Sequence, residues 1–136
     1  MIMVDTGAFI GLFNKNDEYH ASARASFSSI SEPLITTYPV VTETCYLLYN
    51  RLGHHSQINF LKSITKKAFK VFDFQENDIL RMTELMERYC DLPMDFADAS
   101  LVVLAEQLGH GRILTSDRRD FNIYRWNNNQ LFKNLL

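Results

Sequence analysis

Long hydrophobic runs are missing from this 136-residue chain. No apolar stretch approaches the roughly 18–20 residues that span a bilayer, so no membrane partner is expected. The N-terminus turns from apolar to acidic within Met1–Asp5. It lacks the basic start and apolar stretch of a signal peptide, and a cytoplasmic location is the expectation. Cysteine is scarce. Cys45 and Cys90 both sit in helix-like apolar patterns and read as buried free thiols. No CxxC or Cys/His spacing suggests zinc, and His20, His54, His55 and His110 read as surface residues. Positive charge is not in excess either: 14 Lys and Arg face 16 Asp and Glu, a net charge of −2. A protein that coats nucleic acid is usually basic. An enzyme that meets nucleic acid through bound cations need not be. Glycine-rich phosphate loops are absent, since no GxGxxG follows a strand and no GxxxxGKS or GxxxxGKT occurs. Internal repeats and low-complexity segments are absent as well.

What is present reads as one domain, residues 1–136, with 46 % apolar and 22 % charged residues and no linker. Ile2-Met3-Val4-Asp5 is a short buried strand ending in an acid. Thr6-Gly7 opens a helix with Phe9, Ile10, Leu12 and Phe13, and a second helix covers Glu18 to Ile30. Leu34–Thr37 is the next strand, and Pro39 suits the first turn of a helix that Gly53 stops. Further helices are expected over Ser56–Lys66, Asn77–Cys90 and, capped by Asp95 and ended by Gly109, up to Leu108. Strands are expected at Lys70–Phe74 and Arg112–Asp117, and Asn122–Trp126 reads as an added edge strand. Strands alternating with helices give an α/β fold, with a central, mainly parallel sheet of four to five strands flanked by helices.

Most acids, including Glu76, Asp78, Glu84 and Glu87, fit solvated faces or turns. Four fit less easily. Asp5 and Asp117 close the first and fourth strands, where ligands of open α/β sheets bind. Helix capping is the alternative for Asp5, and pairing with Arg118 or Arg119 is the alternative for Asp117. Glu43 stands near the start of an apolar helix with no base three or four positions away. It therefore needs a tertiary ion pair or a cation. Asp98 lies on the stripe of Leu101, Ala105 and Leu108, at the edge of a buried face, whereas Asp95 fits helix-start chemistry. Carboxylates converging in one crevice repel each other and raise each other's pKa. Hard divalent cations such as Mg²⁺ or Mn²⁺ are the natural compensation.

The segments Val4-Asp5-Thr6-Gly7-Ala8-Phe9, Val41-Thr42-Glu43-Thr44, Asp95-Phe96-Ala97-Asp98-Ala99 and Leu114-Thr115-Ser116-Asp117-Arg118-Arg119-Asp120-Phe121 resemble, in order and spacing, the four acidic motifs of PIN domains. The size of the chain is most similar to that of the VapC-type toxins of type II toxin–antitoxin systems. The resemblance implies a metal-dependent endoribonuclease using Mg²⁺ or Mn²⁺. It assigns catalytic and metal-ligating roles to Asp5, Glu43, Asp98 and Asp117, with Asp95 and Asp120 as further candidates. Thr6 and Ser116 would orient ligands or water from behind. RNA as substrate, a homodimer and a small inhibitory antitoxin protein are implied too. One or two ions would activate a water for in-line attack on phosphorus, giving 5′-phosphate and 3′-hydroxyl products by resemblance. Lys15, Arg51, Arg118 and Arg119 are candidate phosphate contacts.

Two other readings use the same acids: an RNA-processing nuclease without an antitoxin, and a catalytically idle module that docks a basic partner. A phosphoacceptor receiver domain lacks its paired early acids and late lysine here.

Overall fold

The computed structural model describes residues Met1–Leu136. In chain order the elements are β1 (Ile2–Val4), α1 (Thr6–Phe13), α2 (His20–Ser29), β2 (Leu34–Thr37), α3 (Tyr38–Leu52), α4 (His54–Thr65), β3 (Lys70–Phe72), α5 (Glu76–Arg88), α6 (Phe96–Leu108), β4 (Arg112–Leu114), α7 (Arg118–Ile123), β5 (Arg125–Trp126), β6 (Gln130–Leu131) and β7 (Lys133–Asn134). Five strands form one parallel sheet in the order β3-β2-β1-β4-β7. Short apolar strands joined by helical crossovers leave this as the natural arrangement, because crossovers cover both faces of the sheet. Strand β1 is central: Met3 aligns with Ile35 on one side and Ile113 on the other.

The chain runs outward from β1 in both directions, so the strand order reverses between β1 and β4. A crevice opens at the carboxyl ends of strands at such a point, and the chain there continues into Asp5 and Thr115–Asp117. Local chemistry fixes these exits. The Asp5 carboxylate accepts from Thr6 N at 2.7 Å and so caps α1, while Asp5 N donates to Leu114 O at 2.9 Å and ties the exit to β4.

Helix α6 is the central prop. Ala97 and every residue from Ala99 to Ala105 are buried, as expected of a helix that is apolar all round. It packs on α3, α5 and β2, within a contiguous core of 26 buried residues. Phe9, Phe60 and Phe69 form an aromatic cluster under α1, with ring centroids 4.8–5.6 Å apart.

Several expectations need correction. Residues 122–126 add no edge strand to the main sheet. Asn122 and Ile123 end α7, and β5 pairs antiparallel with β6 in a separate small sheet. The edge is β7 instead, whose Asn134 side chain engages both backbone groups of Thr115. Strand β4 stops at Leu114, because Asp117 caps α7, a helix the reading of the sequence did not anticipate. The thiols are not both buried: Cys45 is half-buried, and Cys90, lying beyond the end of α5, is exposed. Asp78, half-buried at the surface, has a structural role as well. It caps α5 by accepting from Gln75 N at 2.9 Å and also accepts from Gln107 Nε2 at 3.2 Å.

Candidate active site

All eight residues singled out from the sequence line one cleft of about 540 Å³: Asp5, Thr6, Glu43, Asp95, Asp98, Ser116, Asp117 and Asp120. They come from the ends of β1 and β4, the first turns of α1, α6 and α7 and the second turn of α3. Asp17 and Glu18, from the loop before α2, complete the acidic wall. The reading of the sequence missed these two: Asp17 has no periodic pattern to betray it, and Glu18 reads as the start of a helix that in fact begins at His20. Half of the chain's sixteen acids therefore face one cleft, against a single arginine, Arg51. That balance favours a cationic over an anionic ligand.

Asp5 sits deepest and is 6 % exposed. Burial pushes its carboxyl up to about 6, against the pull of its two hydrogen bonds. One bond comes from Thr6 N; the other comes from Thr115 Oγ1, which donates to Asp5 Oδ2 at 2.7 Å. The same Thr115 hydroxyl accepts from Asp117 N at 3.0 Å. Thr115 thus pins the two strand-end acids to each other, although Thr6 and Ser116, not Thr115, were expected to assist them. The role of Ser116 is partly steric. A Cβ on Gly7 would lie 1.8 Å from Ser116 Oγ, so the first turn of α1 can approach β4 only with glycine there.

Asp98 and Asp95 form a reciprocal capping box at the start of α6. Asp98 N donates to Asp95 Oδ1 at 2.8 Å, and Asp95 N donates to Asp98 Oδ2 at 3.4 Å. Both the helix-start role and the inward orientation therefore apply to this pair. Burial, with Asp95 and Asp5 nearby, pushes the Asp98 carboxyl up to about 8. The Asp117 carboxyl is also raised, mainly by burial. It does not pair with the adjacent arginines: Arg118 donates to Leu136 O at 2.9 Å, and Arg119 points to solvent. Glu43 is half-buried and makes no salt bridge, which leaves the cleft as its environment.

Of the four candidate phosphate contacts, only Arg51 lines the cleft. It stands 3.9 Å from Asp17 with half of its side chain exposed. Lys15, Arg118 and Arg119 lie outside.

The donor set suits a hard cation. The acidic ligands offer only oxygen, several are held in costly proximity, and the Thr6 hydroxyl in the same wall is buried with no hydrogen-bond partner. No three of the acids converge as a finished cage, so the cleft is an acidic surface with room for substrate beside any ion.

The PIN-domain family profile matches residues 2–126. The chain belongs to the PIN-domain family. Within it, Ribonuclease VapC26 of Mycobacterium tuberculosis is 28 % identical over 124 residues, covering 91 % of this chain and 92 % of that protein. The fold is shared with VapC20 of M. tuberculosis, described as a Sarcin-Ricin loop cleaving toxin, at a TM-score of 0.82 and 22 % identity. That match covers 88 % of this chain and 92 % of VapC20. It is also shared with DNA-bound VapBC from Salmonella typhimurium, at a TM-score of 0.69 and 15 % identity, over the full length of both chains. The PIN architecture matches the fold class expected from the pattern of strands and helices.

Proposed function

We propose that this protein is a divalent-cation-dependent endoribonuclease, the toxin of a VapBC-type pair. The observation that carries the proposal is the cleft itself. Acids from five separate segments share it, several with carboxyls pushed up by burial, and only one base is present to neutralise them. The VapC26 likeness supports RNA as substrate, and the VapBC neighbours support a small antitoxin as partner.

Asp5, Glu43, Asp98 and Asp117 would hold one or two Mg²⁺ or Mn²⁺ ions, with Asp95 and Asp120 at the margin. Once bound, the cation supplies charge compensation for a phosphodiester and makes a water more acidic. The chain's own residues do the rest. Thr115 holds Asp5 and the Asp117 backbone in register. Arg51, the one cation in the wall, orients a phosphate of the RNA. The Thr6 hydroxyl, buried without a partner, would orient a ligand or water from behind.

Purified protein is expected to cleave RNA in Mg²⁺ or Mn²⁺ and to stop in EDTA. Cleavage at full rate in chelator would overturn the cation-dependent reading, and no cleavage under any cation would favour an idle docking module. Induction of the chain alone should arrest growth, and co-expression of the small protein encoded beside it should relieve the arrest. Cleavage without arrest would favour RNA processing instead.

We also propose a C₂ homodimer. Tyr38, Tyr46, Tyr49 and Leu52 on α3 and Leu61 on α4 are 40–66 % exposed, more apolar surface than the monomer's core uses. Light scattering at micromolar concentration should give twice the chain mass. The mass of a single chain would refute the dimer.

A further inference from the structure

Tyr124 is the bulkiest fully buried side chain of the molecule, and nothing in the sequence marks it. A buried phenol needs a partner for its hydroxyl. Here that partner is a cleft acid: Tyr124 Oη donates to Asp98 Oδ2 at 3.0 Å, across 26 residues of sequence. The ring has no freedom to follow Asp98 if that side chain turns. It is wedged edge-on against Tyr89 and Phe121, with centroids 5.1 and 5.2 Å away. The core, not the cleft, therefore sets the position of this donor.

The backbone adds a second constraint. Tyr124 is the C-cap of α7, and its N–H donates to Asp120 O at 2.9 Å. Asp117 is the N-cap of the same helix and accepts from Asp120 N at 3.1 Å. Helix α7 is thus a six-residue spacer. One end carries Asp117, and the other end reaches Asp98 through the phenol.

We infer that Tyr124 is the positioning residue for Asp98. Its hydroxyl anchors Oδ2 to the protein and leaves Oδ1, which no protein group engages, to a cation in the cleft. This role rests on the cation-dependent function proposed above. It differs from ligation, because the tyrosine acts only through the carboxylate it holds. Conserved-shape replacement by phenylalanine keeps the wedge and removes the anchor. An unanchored carboxylate loses orientational order on every binding event, which weakens cation affinity more than it weakens the chemistry of the loaded enzyme.

The test is a titration of the metal-free protein with Mn²⁺, following free Mn²⁺ by electron paramagnetic resonance. Tyr124→Phe is expected to bind Mn²⁺ roughly 10–100-fold more weakly than wild type, as loss of such supporting hydrogen bonds commonly does. Its circular dichroism should be unchanged, and saturating Mn²⁺ should return most of its RNA-cleaving turnover. Tyr89→Phe is the comparison. Tyr89 belongs to the same aromatic cluster, but its hydroxyl accepts from Arg125 N and does not touch Asp98. It should keep wild-type affinity.

Wild-type affinity in Tyr124→Phe would overturn the inference, as would equal weakening in both tyrosine variants. If Asp98→Asn loses Mn²⁺ while Tyr124→Phe does not, only the positioning role falls. If the folded wild-type protein binds no Mn²⁺, the proposed function falls with it.

Discussion

Replacing Asp5 or Asp98 by asparagine is expected to lower RNA cleavage by at least about 100-fold and to leave the protein folded. Asparagine preserves shape and one acceptor. At position 5 its carbonyl can still accept from Thr6 N, and its amide can donate to the Thr115 oxygen that now meets Oδ2. At position 98 the carbonyl can occupy the Oδ2 site and keep both Tyr124 Oη and Asp95 N. What disappears is negative charge and, on the proposed function, a cation ligand. If these acids only capped helices, the change would cost about 0.5–2 kcal/mol of stability and spare catalysis. Cleavage rates in Mg²⁺ and thermal melting of the same samples separate the cases. Near-native rates in either variant would remove that acid from the site, and collapse of the fold with activity would make it structural. Glu87→Gln, on the exposed face of α5, is the control and should change neither.

The metal-free protein should become less stable as pH rises from about 4 to about 8. Asp5 is held near 6 and Asp98 near 8 in the folded state, both above the unfolded value of 3.8. Between those limits the folded protein binds more protons than the unfolded chain, so its stability falls with rising pH. The loss is absent below the unfolded pKa and complete above the folded one. For Asp5 alone, a rise from 3.8 to about 6 corresponds to about 3 kcal/mol. Asp98 extends the decline into the neutral range. Urea unfolding at a series of pH values in EDTA measures it directly. Asp98→Asn should flatten the upper part of the curve. Mg²⁺ should restore stability most where the acids are fully ionised, by about 2.7 kcal/mol at 100 times its Kd. A flat or rising profile in EDTA would show that the cleft acids are not held at a cost, and the case for a cation there would lose its physical basis.

How far the sequence could be read depended on the range of the interaction concerned. Asp5 and Asp117 were legible because a strand end is a local event, and a parallel α/β sheet always exposes that end to its ligand crevice. Asp95 and Asp98 were legible because a capping box is spaced by a single helical turn. Glu43 stood out by default, having no base within helical reach. Boundaries at strand ends were less legible. The Arg112–Asp117 run reads as one extended segment, but the side chain of Asp117 accepts from Asp120 N and starts α7 instead. The thiol of Cys90 followed the apolar stripe of α5 on paper, yet the helix stops two residues earlier and leaves it in a turn.

By itself, though it did not give α7 or the short strands that follow, the sequence determined the elements up to β4, the alternation that makes the sheet parallel, and the residue types able to hold a cation. Those features depend on spacings of one to four residues, within which backbone geometry is nearly fixed. Only the tertiary structure decided which polar groups support those acids. Thr115 reaches Asp5 across 110 residues, and Tyr124 reaches Asp98 across 26. Nothing local selects those partners. They are chosen by the packing of β4 against β1 and of the segment after α7 against α6, and by the requirement that a buried hydroxyl find an acceptor. Arg51 illustrates the same point from the other side. Four basic residues looked equivalent along the chain, and the path of α3 past the cleft selected one of them.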